Sequence, residues 1–167
     1  MSTRVGGIRI ARPLTAGARI APRSATVPAR VGYTAGVFDM LNVGHVRLIE
    51  RARSLCDFLV VGVSTDELCQ QFKGAPPHIR FQERMLIVQS IRHVDSVVPQ
   101  TSLDKLDMWE VLRFDVLFVG DAVRHDAYWI DVAARLSQVG ATVTYLPATY
   151  TPDGALLERY ADGSPQD

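Results

Sequence analysis

The chain has 167 residues, 47% of them apolar, with 18 Lys and Arg balanced by 18 Asp and Glu. That length suits one domain able to bury a real core. Six arginines (Arg4, Arg9, Arg12, Arg19, Arg23, Arg30) and no acid fall in the first thirty residues, leaving twelve cationic side chains against 18 acidic ones elsewhere; that acidic excess excludes a general nucleic-acid-binding surface on the folded body.

In chain order, residues 1–30 form an Arg-rich extension. They contain no long apolar run, which excludes a membrane span and the apolar centre of a secretion signal there. The composition fits a loosely packed extension and also resembles an organellar transit peptide. Within it, Gly7 to Ala11 alternates enough to add an edge strand. The folded domain is expected over 31–150, with a tail over 151–167.

Val31 to Ala35 predicts a short strand ending at Gly36. Gly44 to Leu55 predicts a helix with Val46, Ile49 and Leu55 on its apolar side. Phe58 to Val63 is a continuous apolar run, as in a strand buried on both faces. Thr65 to Phe72 predicts a short helix with Asp66 as its cap, then the turn-rich Lys73 to Pro77. Phe81 to Arg92 predicts a helix that carries Arg84 and Arg92 on one side. Its apolar residues Met85, Val88 and Ile91 are candidates for a partner chain. Asp95 to Pro99 predicts a strand, Leu103 to Arg113 a helix, and Val116 to Val119 a buried strand. Asp126 to Val139 predicts a helix stopped by Gly140, and Thr142 to Leu146 the last strand.

Alternating strands and helices of this kind give an α/β fold, a doubly wound parallel five-stranded sheet, Rossmann-like, with strand order reversing beside the first strand. Ligands then bind beyond the carboxyl ends of the strands. Neither G-x-G-x-x-G nor G-x-x-x-x-G-K-[ST] occurs, which argues against a dinucleotide-dependent dehydrogenase or a P-loop enzyme. Cys56 and Cys69 form no C-x-x-C pair, read as small core residues, and fit a reducing, cytoplasmic setting.

The loop after the first strand, Thr34 to His45, carries the clearest chemistry. Gly36 and Gly44 allow close backbone approach. A helix opening at Gly44 and His45 offers N–H groups and a positive dipole end to a phosphate. The His45 ring adds a hydrogen-bond donor.

Three segments, G-V-F-D-M-L-N-V-G-H, L-I-E-R-A-R-S-L-C-D-F-L-V-V-G-V-S-T-D-E and Q-E-R-M-L-I-V-Q-S-I-R-H-V-D, together resemble the cytidylyltransferase-like nucleotidyltransferase family. The likeness is strongest to its glycerol-3-phosphate cytidylyltransferase branch and runs from about Val31 to Leu146. The resemblance implies transfer of CMP from CTP to a small phosphorylated alcohol, with pyrophosphate released and no covalent enzyme intermediate. It implies Mg²⁺ carried with the nucleoside triphosphate, with no protein metal ligand singled out, and a homodimer.

By this resemblance His45, Lys73 and Arg84 are catalytic, the last two as phosphate contacts. Ala35, Gly36, Val37, Phe38, Asn42, Gly44, Gly120 and Asp121 line the nucleotide. Asn42 stands where the family has His or Thr, and can still donate a hydrogen bond. Asp39, Asp66, Arg92 and Asp95 support the site or the dimer contact; Asp39 would repel a bare phosphate, so it holds the loop or acts through Mg²⁺.

Two later segments depart from the family. A Gly-Asp-Asp-Trp-like loop is replaced by Gly120-Asp121-Ala122-Val123-Arg124-His125. An Arg-Thr-x-x-Ile-Ser-Thr segment is replaced by Ala148 to Gly154, with only Thr149 in register. Arg124, with His125, is the candidate source of replacement positive charge. Alternatives to the cytidylyltransferase reading are a degenerate nucleotide-binding relative and an adenylyltransferase using ATP; fold alone does not choose among them.

Overall fold

The computed structural model describes residues 29–147. Strand β1 (Val31–Gly36) leads to helix α1 (Val43–Arg53), then β2 (Phe58–Ser64), α2 (Asp66–Lys73), α3 (Phe81–Gln89), β3 (Ser96–Gln100), α4 (Lys105–Leu112), β4 (Val116–Gly120), α5 (Ala127–Gln138) and β5 (Thr142–Leu146). A single 3₁₀ turn, Asp121–Val123, separates β4 from α5. All five strands are parallel, in the order β3-β2-β1-β4-β5. The order reverses at β1, so the crevice of a doubly wound sheet opens between the carboxyl ends of β1 and β4.

Each face of the sheet has its own core. On one, Ile49 and Ala52 of α1 and Val88 of α3 pack on Leu59, Val61, Val63, Val116 and Phe118. On the other, Met108 of α4 and Val132 and Leu136 of α5 pack on Tyr33, Val60 and Leu117. The apolar run of β2 serves both cores, because alternate residues face opposite sides. Gly62 interrupts that run for a steric reason: the Tyr33 phenol occupies the space a Cβ would need.

Aspartates staple the amino edge of the sheet. Asp57 and Asp115 accept the amides of Arg30 and Val31, each at 2.7 Å, and Asp95 accepts the amide of Leu59 at 2.8 Å. Asp95 also pairs with Arg53 at 2.8 Å. It therefore braces the edge opposite the crevice and does not approach it.

Two expectations for α3 change. The helix ends at Gln89, with Ser90 as its C-cap, because the chain must turn to deliver Asp95 to the start of β2. Arg84 and Arg92 thus do not share a face: Arg84 is fully buried, while the Arg92 side chain is 83% exposed. Met85, Val88 and Ile91 pack into the α1–α3 core; the apolar side chains α3 exposes are Leu86 and Ile87. Among the described residues no helix is long and apolar enough to cross a membrane. The candidate segment Ala148 to Gly154, with Thr149, lies outside the described residues, as do the N-terminal extension through residue 28 and the tail.

Candidate active site

A cleft of about 240 Å³ sits at the β1/β4 switch point, walled by Thr34 to Gly36, Phe38, His45, Leu117 to Gly120, Lys105 and Trp129. His45 enters from α1 on one side of the sheet. Lys105 and Trp129 enter from α4 and α5 on the other. The expected nucleotide residues Ala35, Gly36, Phe38, His45 and Gly120 come together here; Asp121 follows directly and opens the 3₁₀ turn.

His45 is held by a reciprocal cap. Asn42 is the N-cap of α1, and its Oδ1 accepts the amides of Gly44 at 2.9 Å and His45 at 3.4 Å. In return, the Asn42 amide donates to His45 Nδ1 at 3.2 Å. An Nδ1 that accepts carries no proton, so neutral His45 holds its proton on Nε2. Burial pushes the imidazole below its usual pKa and keeps it in that neutral form. The Phe38 ring meets the imidazole edge-on with centroids 5.6 Å apart.

This geometry revises one expectation: the amides of Gly44 and His45 are committed to the cap made by Asn42 Oδ1.

The loop from Val37 to Asn42 is strained and anchored. Phe38 and Met40 adopt φ of 54° and 50°, a left-handed region costing non-glycine residues about 1–3 kcal/mol. Asp39 turns away from the cleft and accepts the amides of His78 at 2.8 Å and Ile79 at 3.0 Å, with the His78 ring at 3.0 Å. Partial burial raises the Asp39 pKa, but the two amides and the His78 ring outweigh it and hold the carboxyl below its ordinary value. Of the two roles expected for Asp39, loop-holding is the one its contacts perform.

Arg84 completes the anchor from inside. Its guanidinium donates to the carbonyls of Val37, Ile79 at 2.9 Å and Ser64 at 2.8 Å, and to Asp66 Oδ1 at 2.6 Å. It thus ties the loop after β1 to the loop after β2 and to the start of α3. The buried fork braces the loop rather than offering free donors to a phosphate. Asp66, in turn, is not the cap of α2: Thr65 Oγ1 accepts the Leu68 amide at 3.1 Å, and Asp66 Oδ2 accepts the Phe81 amide at 3.2 Å. Lys73 is exposed at the end of α2, its ammonium 5.7 Å from the Phe72 ring, and it does not line the cleft.

Lys105 and Trp129 are the cleft residues that sequence reasoning missed. Lys105 is only 6% exposed, and burial pushes its pKa down to about 8. Its ammonium lies 5.9 Å from the Trp129 ring. No carboxylate lies within ion-pair distance among the described residues. A signal was present in the sequence: beside sixteen arginines the chain keeps just two lysines, and Lys105 follows a strand end within Leu103 to Trp109.

Arg124 lies over Tyr145 of β5, its guanidinium carbon 5.1 Å from the ring centroid, near the carboxyl ends of β4 and β5. Arg135 bridges Asp104 and Asp131 and so supports the N-cap of α4.

The parallel five-stranded sheet and its switch-point cleft define a Rossmann-like domain of the nucleotidyltransferase type. The chain belongs to the cytidylyltransferase-like family, whose sequence profile matches residues 33–154. It is 40% identical over 84 residues to the glycerol-3-phosphate cytidylyltransferase of Bacillus subtilis, covering 50% of this chain and 60% of that one. It is 34% identical over 134 residues to the FAD synthase of Pyrococcus horikoshii, covering 76% and 89%. The chain spans only a fifth of the bifunctional HldE protein of Acidiphilium cryptum, which it also matches. In three dimensions it resembles the lipopolysaccharide core biosynthesis protein of Thermoplasma volcanium, with a TM-score of 0.63, 21% identity, and coverage of 74% of this chain and 99% of that one.

Proposed function

We propose that the chain transfers a nucleotide monophosphate, CMP from CTP in the first place, onto a small phosphorylated alcohol. The observation that carries this reading is a switch-point cleft with a donor of fixed tautomer, His45 Nε2–H, on one wall and a buried ammonium, Lys105, on the other. An acceptor phosphate oxygen attacks the α-phosphorus of the triphosphate. A P–O–P link forms, the bond to the β-phosphate oxygen breaks, and pyrophosphate leaves with its electron pair.

His45 donates to the oxygens on which charge builds during transfer. Lys105 pairs with the acceptor's phosphate, which supplies the contact ion pair that the ammonium makes with no carboxylate among the described residues. Gly36 and Gly120 let the nucleotide approach the backbone closely, and Phe38 and Trp129 supply apolar walls. Arg124 adds positive charge at the β4/β5 end.

Among the described residues no group of three or more His, Cys, Asp or Glu side chains could hold a metal, and Asp39 is committed to two amides. Mg²⁺ fits this chain as a companion of the triphosphate, held chiefly by phosphate oxygens, where it would offset their charge.

One observation favours a second reading, a nucleotide-binding relative without transferase activity. With Arg84 buried and Lys73 outside the cleft, few described cations are left for three phosphates. Pyrophosphate release from CTP, ATP, GTP and UTP, each paired with phosphorylated alcohols, separates the readings. Release that falls about a hundredfold in His45→Ala supports transfer; triphosphate binding with no release in any pairing supports the binding-only relative. A homodimer belongs to the same proposal, with Leu86 and Ile87 at its contact, and a monomer mass by light scattering at micromolar concentration would remove it.

A further inference from the structure

Helix α5 meets the start of α4 at three consecutive residues. The Tyr128 hydroxyl donates to the Leu103 carbonyl at 2.7 Å. Arg135 Nη2 donates to Asp104 Oδ2 at 2.8 Å. The Trp129 ring stands 5.9 Å from the Lys105 ammonium. Asp131, one turn before Arg135, steadies the guanidinium through Nη1 at 3.6 Å.

Both oxygens of Asp104 are thereby occupied. Oδ1 caps α4 by accepting the Leu106 amide at 2.9 Å. Oδ2 takes Arg135, which holds the carboxyl below its ordinary value. Lys105 is the next residue and feels that carboxylate: burial pushes the ammonium down, and Asp104 is the charge that works against burial. Yet the two side chains form no ion pair. The ammonium is not sealed either. The buried side-chain atoms without a partner among the described residues are the Tyr33 hydroxyl and Gln100 Oε1, and Lys105 lines the cleft. His45, the other titratable side chain in the cleft wall, is kept neutral by burial. Asp107 of α4 and Asp131 of α5 are exposed. Asp104 is therefore the neighbouring carboxylate able to take the ammonium from a ligand, and the guanidinium at hydrogen-bond distance offsets its charge.

We propose that Arg135 is a positioning residue for the cleft: by engaging Asp104 it keeps that carboxylate from pairing with Lys105, and so leaves Nζ free for an anionic group of the bound ligand. Arg135 itself does not touch the ligand, and no covalent step is involved. A simple brace would stabilise α4 without changing what Lys105 meets. The proposal rests on the transferase reading only for calling that ligand a substrate.

The chain holds just two lysines, Lys73 and Lys105. Lysine labelled with ¹³C at Cε therefore gives one NMR signal from each in the full chain, and Lys105→Met assigns them. Inorganic phosphate is the probe, followed through the Lys105 signal. Arg135→Gln should weaken phosphate binding about threefold and raise the pH at which Lys105 titrates by roughly half a unit, as for loss of a partly exposed charge pair. Arg135→Gln combined with Asp104→Asn should restore both, because asparagine keeps the cap and removes the competing charge. A double variant that binds as weakly as Arg135→Gln alone overturns the proposal and leaves Arg135 a brace of α4. So does an unmodified protein whose Lys105 signal does not respond to phosphate. Should Arg135→Gln fail to fold, Asp104→Asn alone decides: Lys105 should titrate at lower pH, and no shift or an upward one overturns the proposal. Neither measurement reads pyrophosphate release, so the two readings fail separately. Rescue without release keeps the role of Arg135 and removes the transferase, and release without rescue does the reverse.

Discussion

Asn42 and His45 cap each other: the Asn42 side chain accepts the His45 amide, and the Asn42 amide donates to His45 Nδ1. The pair fixes both the start of α1 and the tautomer that presents Nε2–H. Asn42→Ala should lower stability by about 1 kcal/mol, as for a lost N-cap. It should also reduce kcat more than the triphosphate KM, because the ring loses its orientation. Asn42→His places a second imidazole at the family's usual position but sacrifices the Oδ1 cap. Higher activity in this variant, from steady-state pyrophosphate release, would show that an extra donor outweighs the cap.

Lys105 should trade stability for binding. Its pKa in the folded chain is near 8, against about 10.4 unfolded. The unfolded chain therefore holds more protons between those values, and stability should rise with pH through that window. Below pH 8 the buried charge costs roughly 3 kcal/mol at 1.36 kcal/mol per pKa unit. Lys105→Met should accordingly raise the melting temperature of the unliganded protein at pH 7, flatten the rise in stability between pH 8 and 10, and weaken acceptor binding. A variant less stable at pH 7 would show that the ammonium has a partner in solution.

Arg84 should behave as a positioning residue. Arg84→Lys keeps the charge but not the planar fork that reaches Val37, Ser64, Ile79 and Asp66 together. Breaking a buried pair of this kind costs about 3–5 kcal/mol. Chemical denaturation should report that loss. In a variant that remains folded, the triphosphate KM should rise while the acceptor KM holds, because Gly36 and Phe38, on either side of Val37, wall the proposed nucleotide site. Full stability in Arg84→Lys would remove the brace.

Arg124→Ala should weaken triphosphate binding several-fold, consistent with loss of one charge-assisted contact. Arg51→Ala, an exposed position near the end of α1, is the control; Arg135 is unsuitable because it supports Asp104. Calorimetry showing the same affinity in both variants would leave Arg124 as a stacking partner of Tyr145 alone.

The strands and most helices were legible from local pattern, because burial on both faces writes a continuous apolar run such as Phe58 to Val63. The loop around His45 was legible too, since a glycine-punctuated strand-to-helix turn needs particular residues. The roles of Asp66, Asp95, Arg84 and Asn42 were not. Each is set by which carbonyl or amide a distant segment brings near, and residue type does not encode that. Lys105 was missed for the same reason: burial of a polar side chain is a property of the packed fold. By itself the sequence determined a doubly wound sheet with a glycine-punctuated strand-to-helix loop after β1. Only the tertiary structure decided which charged groups face the crevice and which brace its walls, because the parallel pairing of β1 with β4 at the switch point joins residues more than sixty positions apart.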